Sequence, residues 1–126
     1  MIKKIQYFIQ RGLRGYSDED LWDFSSYLCE IIPPALRKLK SGTGCPSDLW
    51  DKEAKNNECH KWAEMLEEMA QGFEAAEALN NCDFMMMTKT DNGWERKIDE
   101  AKMKLLTVKY DKGIGLFAKH FLDLWD

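Results

Sequence analysis

Apolar residues recur at steps of three and four along much of the chain, and each such stretch predicts a helix. The first carries Leu21, Phe24, Leu28, Ile31, Ile32, Ala35, Leu36 and Leu39, the spacing of one amphipathic helix face. It opens at "SDED", where Ser17 and Asp20 stand three apart as in a capping box and three carboxylates fall at the positive end of the helix dipole. The stripe crosses Pro33-Pro34 without losing phase. A proline removes a donor and crowds the preceding turn, so unbroken phasing predicts one helix over about residues 18–40, kinked at the prolines, in preference to two collinear ones. "SGTGCPSD" then ends it.

A short helix is predicted over residues 47–55, with a break at Asn56-Asn57. From Glu58 the signal is strong, with Trp62, Met65, Leu66, Met69, Phe73, Ala76 and Leu79 on one face until "NNCD". "FMMMTKTDNGW" is irregular. Its Asn92-Gly93 pair marks a turn, for which a two-stranded hairpin is one arrangement, and its methionines suit gap-filling or an adaptable contact surface. A further helix is expected from Glu95 to about Tyr110 on Ile98, Ala101, Leu105 and Val108. "YDKG" interrupts, and a last helix over residues 113–124 sets Ile114, Phe117, Ala118, Phe121, Leu124 and Trp125 on one side. The class is therefore all-α, a single-domain bundle of four or five helices over residues 1–126.

Composition agrees. With 126 residues, 44% hydrophobic and 32% charged, the chain has the make-up of a globular domain. No apolar run is long enough to span a bilayer, and "MIKKIQYFIQ" is interrupted by Lys4, Gln6 and Gln10 with no cleavage site after it. The expectation is a cytosolic protein with no membrane partner. Cys29, Cys45, Cys59 and Cys82 form no CxxC pair and are expected as free thiols.

Charge sharpens the picture because it is uneven. The net charge is −4, yet Lys3, Lys4, Arg11 and Arg14 precede the first acidic residue, while residues 47–83 hold ten acids against three lysines. Arginine's rigid fork suits phosphate and carboxylate, and Gly12 and Gly15 beside Arg11 and Arg14 would let backbone approach an anion. Tyr16 and Trp22 lie alongside, and an aromatic next to an arginine holds planar anions. The plainer alternatives are that the arginines pair with the acidic face of residues 47–83 or are solvated, and that Trp22 edges the core. Chain ends fray unless docked, so the terminal "LWD" suggests Trp125 packed near Trp22 with Asp126 or the terminal carboxylate facing Arg14. Candidate ligand-binding residues are thus Arg11, Arg14, Tyr16, Trp22 and Trp125.

Other chemistries find little footing. A sequence pI near 5.2 opposes duplex nucleic acid. Cys59 and His60 are adjacent and diverge on a helix, and His120 could join them only through the fold, so neither metal nor cofactor is expected. No GxSxG motif or phosphate loop is present, "GIG" at residues 113–115 is a lone GxG, and helical glutamates usually form a solvated face, so the expectation is a non-enzyme.

"RGYSDEDLWDFSSYL", "IIPPALRKLK", "WAEMLEEMAQGFEA" and "GLFAKHFLDLWD" together resemble a family of small tailed-bacteriophage proteins, over about half of the chain and excluding residues 82–110. Tyr16 holds the family's opening aromatic position, and His120 stands where an aromatic is common. The resemblance implies a phage origin and action in the cytoplasm of a host bacterium. The preferred reading is a non-catalytic binding protein that counters host defence, in its sharpest form by sequestering a nucleotide-derived signal, and such a protein would commonly be a homo-oligomer. The alternatives are an inhibitor or adaptor that binds a host protein through the acidic helical face, and an auxiliary virion or replication component.

Overall fold

The computed structural model describes residues 1–42, 44–46 and 60–125. Among these it is mostly helical with one small sheet. Helix α1 spans Ile2–Arg14, a 3-10 turn covers Asp20–Asp23, and α2 runs Phe24–Lys40. Then come α3 (His60–Asn80), strands β1 (Met85–Thr90) and β2 (Gly93–Ile98), α4 (Glu100–Lys119) and a terminal 3-10 turn at Phe121–Asp123. The helix expected at residues 47–55 lies outside the described residues.

The packing is a layer of three helices with α3 in the middle, against α2 on one side and α4 on the other. That position explains why α3 buries more than its predicted stripe. Trp62, Leu66, Met69 and Phe73 are buried as expected, and Ala70, Gly72 and Ala75 join them on the faces turned to the neighbours. From α2, Leu36 and Pro33 are buried, with Cys29, Ile32 and Leu39 packed alongside. From α4 and the turn beyond it come Ile114, Leu116, Phe117 and Leu124, and the Phe117 ring meets Phe73 edge-on at 5.0 Å.

Gly72 and Gly113 set the distance between α3 and α4. A Cβ added to Gly72 would lie 2.6 Å from the Gly113 Cα, and one added to Gly113 would lie 2.5 Å from the Gly72 Cα and 2.6 Å from the Glu68 carbonyl oxygen. The two backbones touch. A mid-helix glycine costs roughly 1 kcal/mol relative to alanine, and close contact between the helices offsets it here. It also explains why "YDKG" does not interrupt: the two helices predicted over residues 95–124 are one, α4, with its start moved to Glu100. Asp99 caps that start by accepting from the Lys102 amide at 3.0 Å. Residues 95–98 are instead part of the second strand of a hairpin that reverses at Asp91-Asn92, with Gly93 at φ 114°.

Several further expectations are corrected. The fold is not purely all-α. Helix α2 does continue through Pro33-Pro34, although the carbonyls of Cys29 and Glu30 thereby lose their intrahelical donors. It starts later than expected, because "SDED" opens only the 3-10 turn and Asp23 caps α2 by accepting from the Ser26 amide. Leu21, Phe24 and Ile31 of the predicted stripe are exposed, as are Leu105 and Val108 of α4. Cys45 is disulfide-bonded, a state rare in the cytosol, whereas Cys29 and Cys82 are free. Cys59 lies outside the described residues. The Cys29 thiol is pushed up by burial and by nearby Glu77 and Asp23, which keeps it protonated and unreactive.

A polar seam fastens α2 to α3. Arg37 reaches Glu67 at 3.1 Å and also pairs with Glu74, while Lys40 meets Glu67 at 3.3 Å. Hydrogen bonding from Arg37, aided by Gln71 and Lys40, holds the Glu67 carboxyl down at about 2. On the far side Lys112 of α4 meets Glu68 at 3.1 Å.

The glycine crossing can be tested by adding a single methyl. Gly113→Ala is expected to lose about 1–3 kcal/mol in a urea titration, because overpacking two backbones outweighs the gain in helix propensity. Gly115→Ala, whose added Cβ meets nothing within 4 Å, is expected to be neutral or stabilising by up to about 1 kcal/mol. Equal effects at the two sites would refute the close crossing. For pH, a carboxyl depressed in the folded state contributes stability above its unfolded value and loses it on acidification. Melting temperature should therefore fall as pH drops from about 4.5 toward 2, and Glu67→Gln should make that fall shallower.

Candidate functional site

Helix α1 goes beyond the sequence-based expectations, although Ile2, Ile5, Ile9 and Leu13 recur at helical steps within the basic segment. It ends at Gly15, whose φ of 84° is the left-handed geometry of a helix C-terminal cap, and whose amide donates to the Arg11 carbonyl at 2.9 Å. The chain then turns back through Ser17, which is fully buried.

Asp20 is the centre of this junction. It is 6% exposed. The Ser17 amide donates to Oδ2 at 2.7 Å, and the Asp20 amide donates back to Ser17 Oγ at 3.3 Å, so the capping-box pair is formed. Arg11 approaches from α1 as a fork, Nε donating to Oδ2 at 2.8 Å and Nη2 to Oδ1. Arg11, first, and then Ser17 hold the Asp20 carboxyl far below the usual range, and Asp20 raises the Arg11 guanidinium in return. Tyr27 lies under the Arg11 guanidinium at 5.7 Å and donates its hydroxyl to the Gly15 carbonyl at 2.5 Å.

Around this centre Gln10 Nε2 donates to Asp18 Oδ2 and the Asp18 amide donates to Gln10 Oε1, each at 2.8 Å. Arg14 pairs with Asp18, donates to the Tyr16 carbonyl at 3.0 Å and stacks over the Tyr16 ring at 4.6 Å. Arg14 and Gln10 lower the Asp18 carboxyl.

Beside the junction opens a cleft of about 670 Å³. Its walls carry Asp18, Glu19, Asp20, Asp23 and Glu30, with Tyr7, Trp22, Ser26 and Tyr27 as the uncharged part and Arg11 as the one cation among the described residues. Trp22 is 94% exposed at its edge. Asp20 and Asp18 are paired to Arg11 and Arg14, and Glu19, Asp23 and Glu30 add three further carboxylates, so the cleft is negative.

The five sequence candidates are thus split. Arg11 and Trp22 line the cleft, whereas Arg14, Tyr16 and Trp125 do not. Arg11 and Arg14 pair with Asp20 and Asp18 of the adjoining turn, and among the described residues the acids of α3 are met instead by Arg37, Lys40 and Lys112. Trp22 is neither at the core edge nor packed on Trp125, which is itself 56% exposed. Asp126 lies outside the described residues. Glu19, Asp23, Ser26 and Glu30 are absent from the sequence-based candidates, yet their steps of three and four mark one helical face.

Elsewhere, His120 is a core residue, edge-on to Trp62 at 5.6 Å and 3.1 Å from Asp123 through Nδ1. Among the described residues no cluster of three metal-ligating side chains occurs, and no helix is long and apolar enough to cross a membrane. Comparison with known proteins finds no matching family model, no matching curated protein and no matching solved structure.

If Asp20 ties α1 to the body, Asp20→Asn should free it. Amide hydrogen exchange over residues 2–14 is expected to rise at least about tenfold while the centres of α3 and α4 keep their protection. Unchanged exchange in α1 would show that the helix is held by something else.

Proposed function

We propose that the protein is a non-catalytic binding protein, phage-encoded and acting in the host cytoplasm, whose recognition surface is the acidic cleft between α1 and α2. One observation carries this reading. The cleft sets the carboxylates of Glu19 and Glu30, neither of them in a salt bridge among the described residues although Glu30 lies within the field of Arg11, beside aromatic faces at Tyr7, Trp22 and Tyr27. That combination suits a lysine- or arginine-rich segment of a host protein, through ion pairs and cation–π contacts.

Capture of a nucleotide-like anion fits the site less well. Such a guest would have to take Arg11 from Asp20 inside a ring of carboxylates, and like charges brought together at that range cost several kcal/mol. The adaptor or inhibitor reading is therefore preferred, with its surface moved. The acidic side of α3 is largely occupied by Arg37, Lys40 and Lys112, so the cleft over residues 18–30 takes its place as the negative surface.

The test uses a tetra-arginine peptide as probe, followed by calorimetry at low and high salt. Binding is expected in the micromolar range, weakening at least about fivefold at high salt and at least about tenfold in Glu19→Gln/Glu30→Gln. Heating the purified protein should release no nucleotide detectable by mass spectrometry. A released nucleotide, or peptide binding indifferent to the two substitutions, would overturn the reading.

A further inference from the structure

The hairpin of β1 and β2 stands apart from the helical layer. Its strands pair with each other and have only slight contact with the helices, and an isolated two-stranded hairpin is marginal in water. Side chains alternate between the two faces of a strand, so the register sorts them. One face carries Met87, Lys89, Trp94 and Arg96, with Lys89 directly opposite Trp94 and Met87 opposite Arg96. All four are exposed, Trp94 at 67%. Glu95, the one carboxylate of the two strands, belongs to the other face. The first face therefore sets an aromatic ring between two cations with no acid beside them.

Arg96 also differs from the other arginines of the chain. Arg11, Arg14 and Arg37 each hold a carboxylate, whereas Arg96 and Lys89 form no salt bridge among the described residues. The surface that complements such a segment lies on the same protein. The cleft between α1 and α2 offers Glu19 and Glu30, with the exposed Trp22 at its edge, and opposite charge is what selects and orients a docking pair.

No hairpin residue lines the cleft of its own chain, yet both features sit at one end of the α2–α3 layer. Ser26 of the cleft wall donates to Glu77 of α3 at 2.6 Å. Asn80, where α3 ends, donates to Asp23 of the cleft wall at 3.4 Å, and the hairpin begins just beyond, at Met85. Two copies that meet by this end about a two-fold axis exchange hairpins, and a contact of that kind closes on itself. A single strand of nucleic acid would also stack on Trp94. It is the poorer match, because two cations release few counterions and the same end of the molecule holds Glu19, Asp23 and Glu30.

We propose that the basic, aromatic face of the hairpin occupies the acidic cleft of a second copy of this chain, reciprocally, so that the dimer masks its own recognition surface. Lys89 and Arg96 supply the cations that the cleft draws in, and Trp94 covers its aromatic wall. A host segment of the same chemistry then gains the cleft by displacing the hairpin. The inference rests on the reading of the cleft as a site for basic segments.

Sedimentation equilibrium on the full chain tests it by charge exchange. The wild type is expected to be dimeric at about 100 µM with a micromolar dissociation constant, and to dissociate at high salt or in excess tetra-arginine. Lys89→Glu/Arg96→Glu and Glu19→Lys/Glu30→Lys should each be monomeric alone, with the circular dichroism of the wild type. Mixed in equal amounts they should dimerise, since both contacts are restored with their signs reversed. A monomeric wild type, a dimer untouched by either pair of substitutions, or a mixture that stays monomeric would overturn the proposal. The hairpin variant, whose cleft is open, should still bind tetra-arginine. If it does while the wild type is monomeric, the exchange fails and the reading of the cleft stands; if it does not, both fall. An oligo-dT strand that binds a monomeric wild type but not the hairpin variant would also overturn the proposal and assign the face to nucleic acid.

Discussion

A single buried carboxylate decides how this protein presents itself. Asp20 sits where a tight turn, a helix start and the guanidinium of a separate helix converge. Burying a carboxylate is costly unless its lone pairs are filled, and here the Ser17 amide and the Arg11 fork fill them. The consequence is directional. Because Arg11 is the point of attachment, α1 must face the body with its polar side, and the apolar stripe of that helix must look outward. The same attachment builds one wall of the cleft. Lose the carboxylate, and the helix, the cleft and the outward stripe lose their common anchor.

The rest of the molecule works by a different means. Beneath the junction, the layer of α2, α3 and α4 is held by apolar burial and by a backbone contact at Gly72 and Gly113 that no side chain interrupts. The polar links of Arg37, Lys40 and Lys112 lie along its edges, where solvent screens them and each is worth little alone. The core can thus stay intact when α1, which buries no residue, opens locally.

How much of this is legible in the sequence differs by element. The faces of α3 and the phase of α2 are readable because a long apolar stripe at steps of three and four is periodic in the way only a helix is. Pro33-Pro34 does not mislead once that phase is followed. Three features are hidden. "YDKG" reads as a helix break because the close backbone partner of its glycine, Gly72, lies far off in the sequence and leaves no local mark. Residues 95–98 read as helix because Ile98 fits the period, while the decisive signals are the hairpin turn and the cap at Asp99. The helical period of residues 2–14 is masked by the polar and basic residues set between its apolar positions. At the site, the arginines and aromatics stand out as a cluster. The partners of Arg11 and Arg14, however, are the very acids of "SDED" that look like nothing more than a helix start.

The central claim is that Asp20 is ionised and clasped between Arg11 and Ser17. Its side-chain carboxyl carbon, followed by NMR while the pH is lowered, reads that state directly. With the clasp in place, the Asp20 resonance should stay on its ionised plateau well below the roughly 3.9 at which an ordinary aspartate titrates. A midpoint near that ordinary value would mean that Arg11 and Asp20 are apart in solution, and that α1 is not held as described.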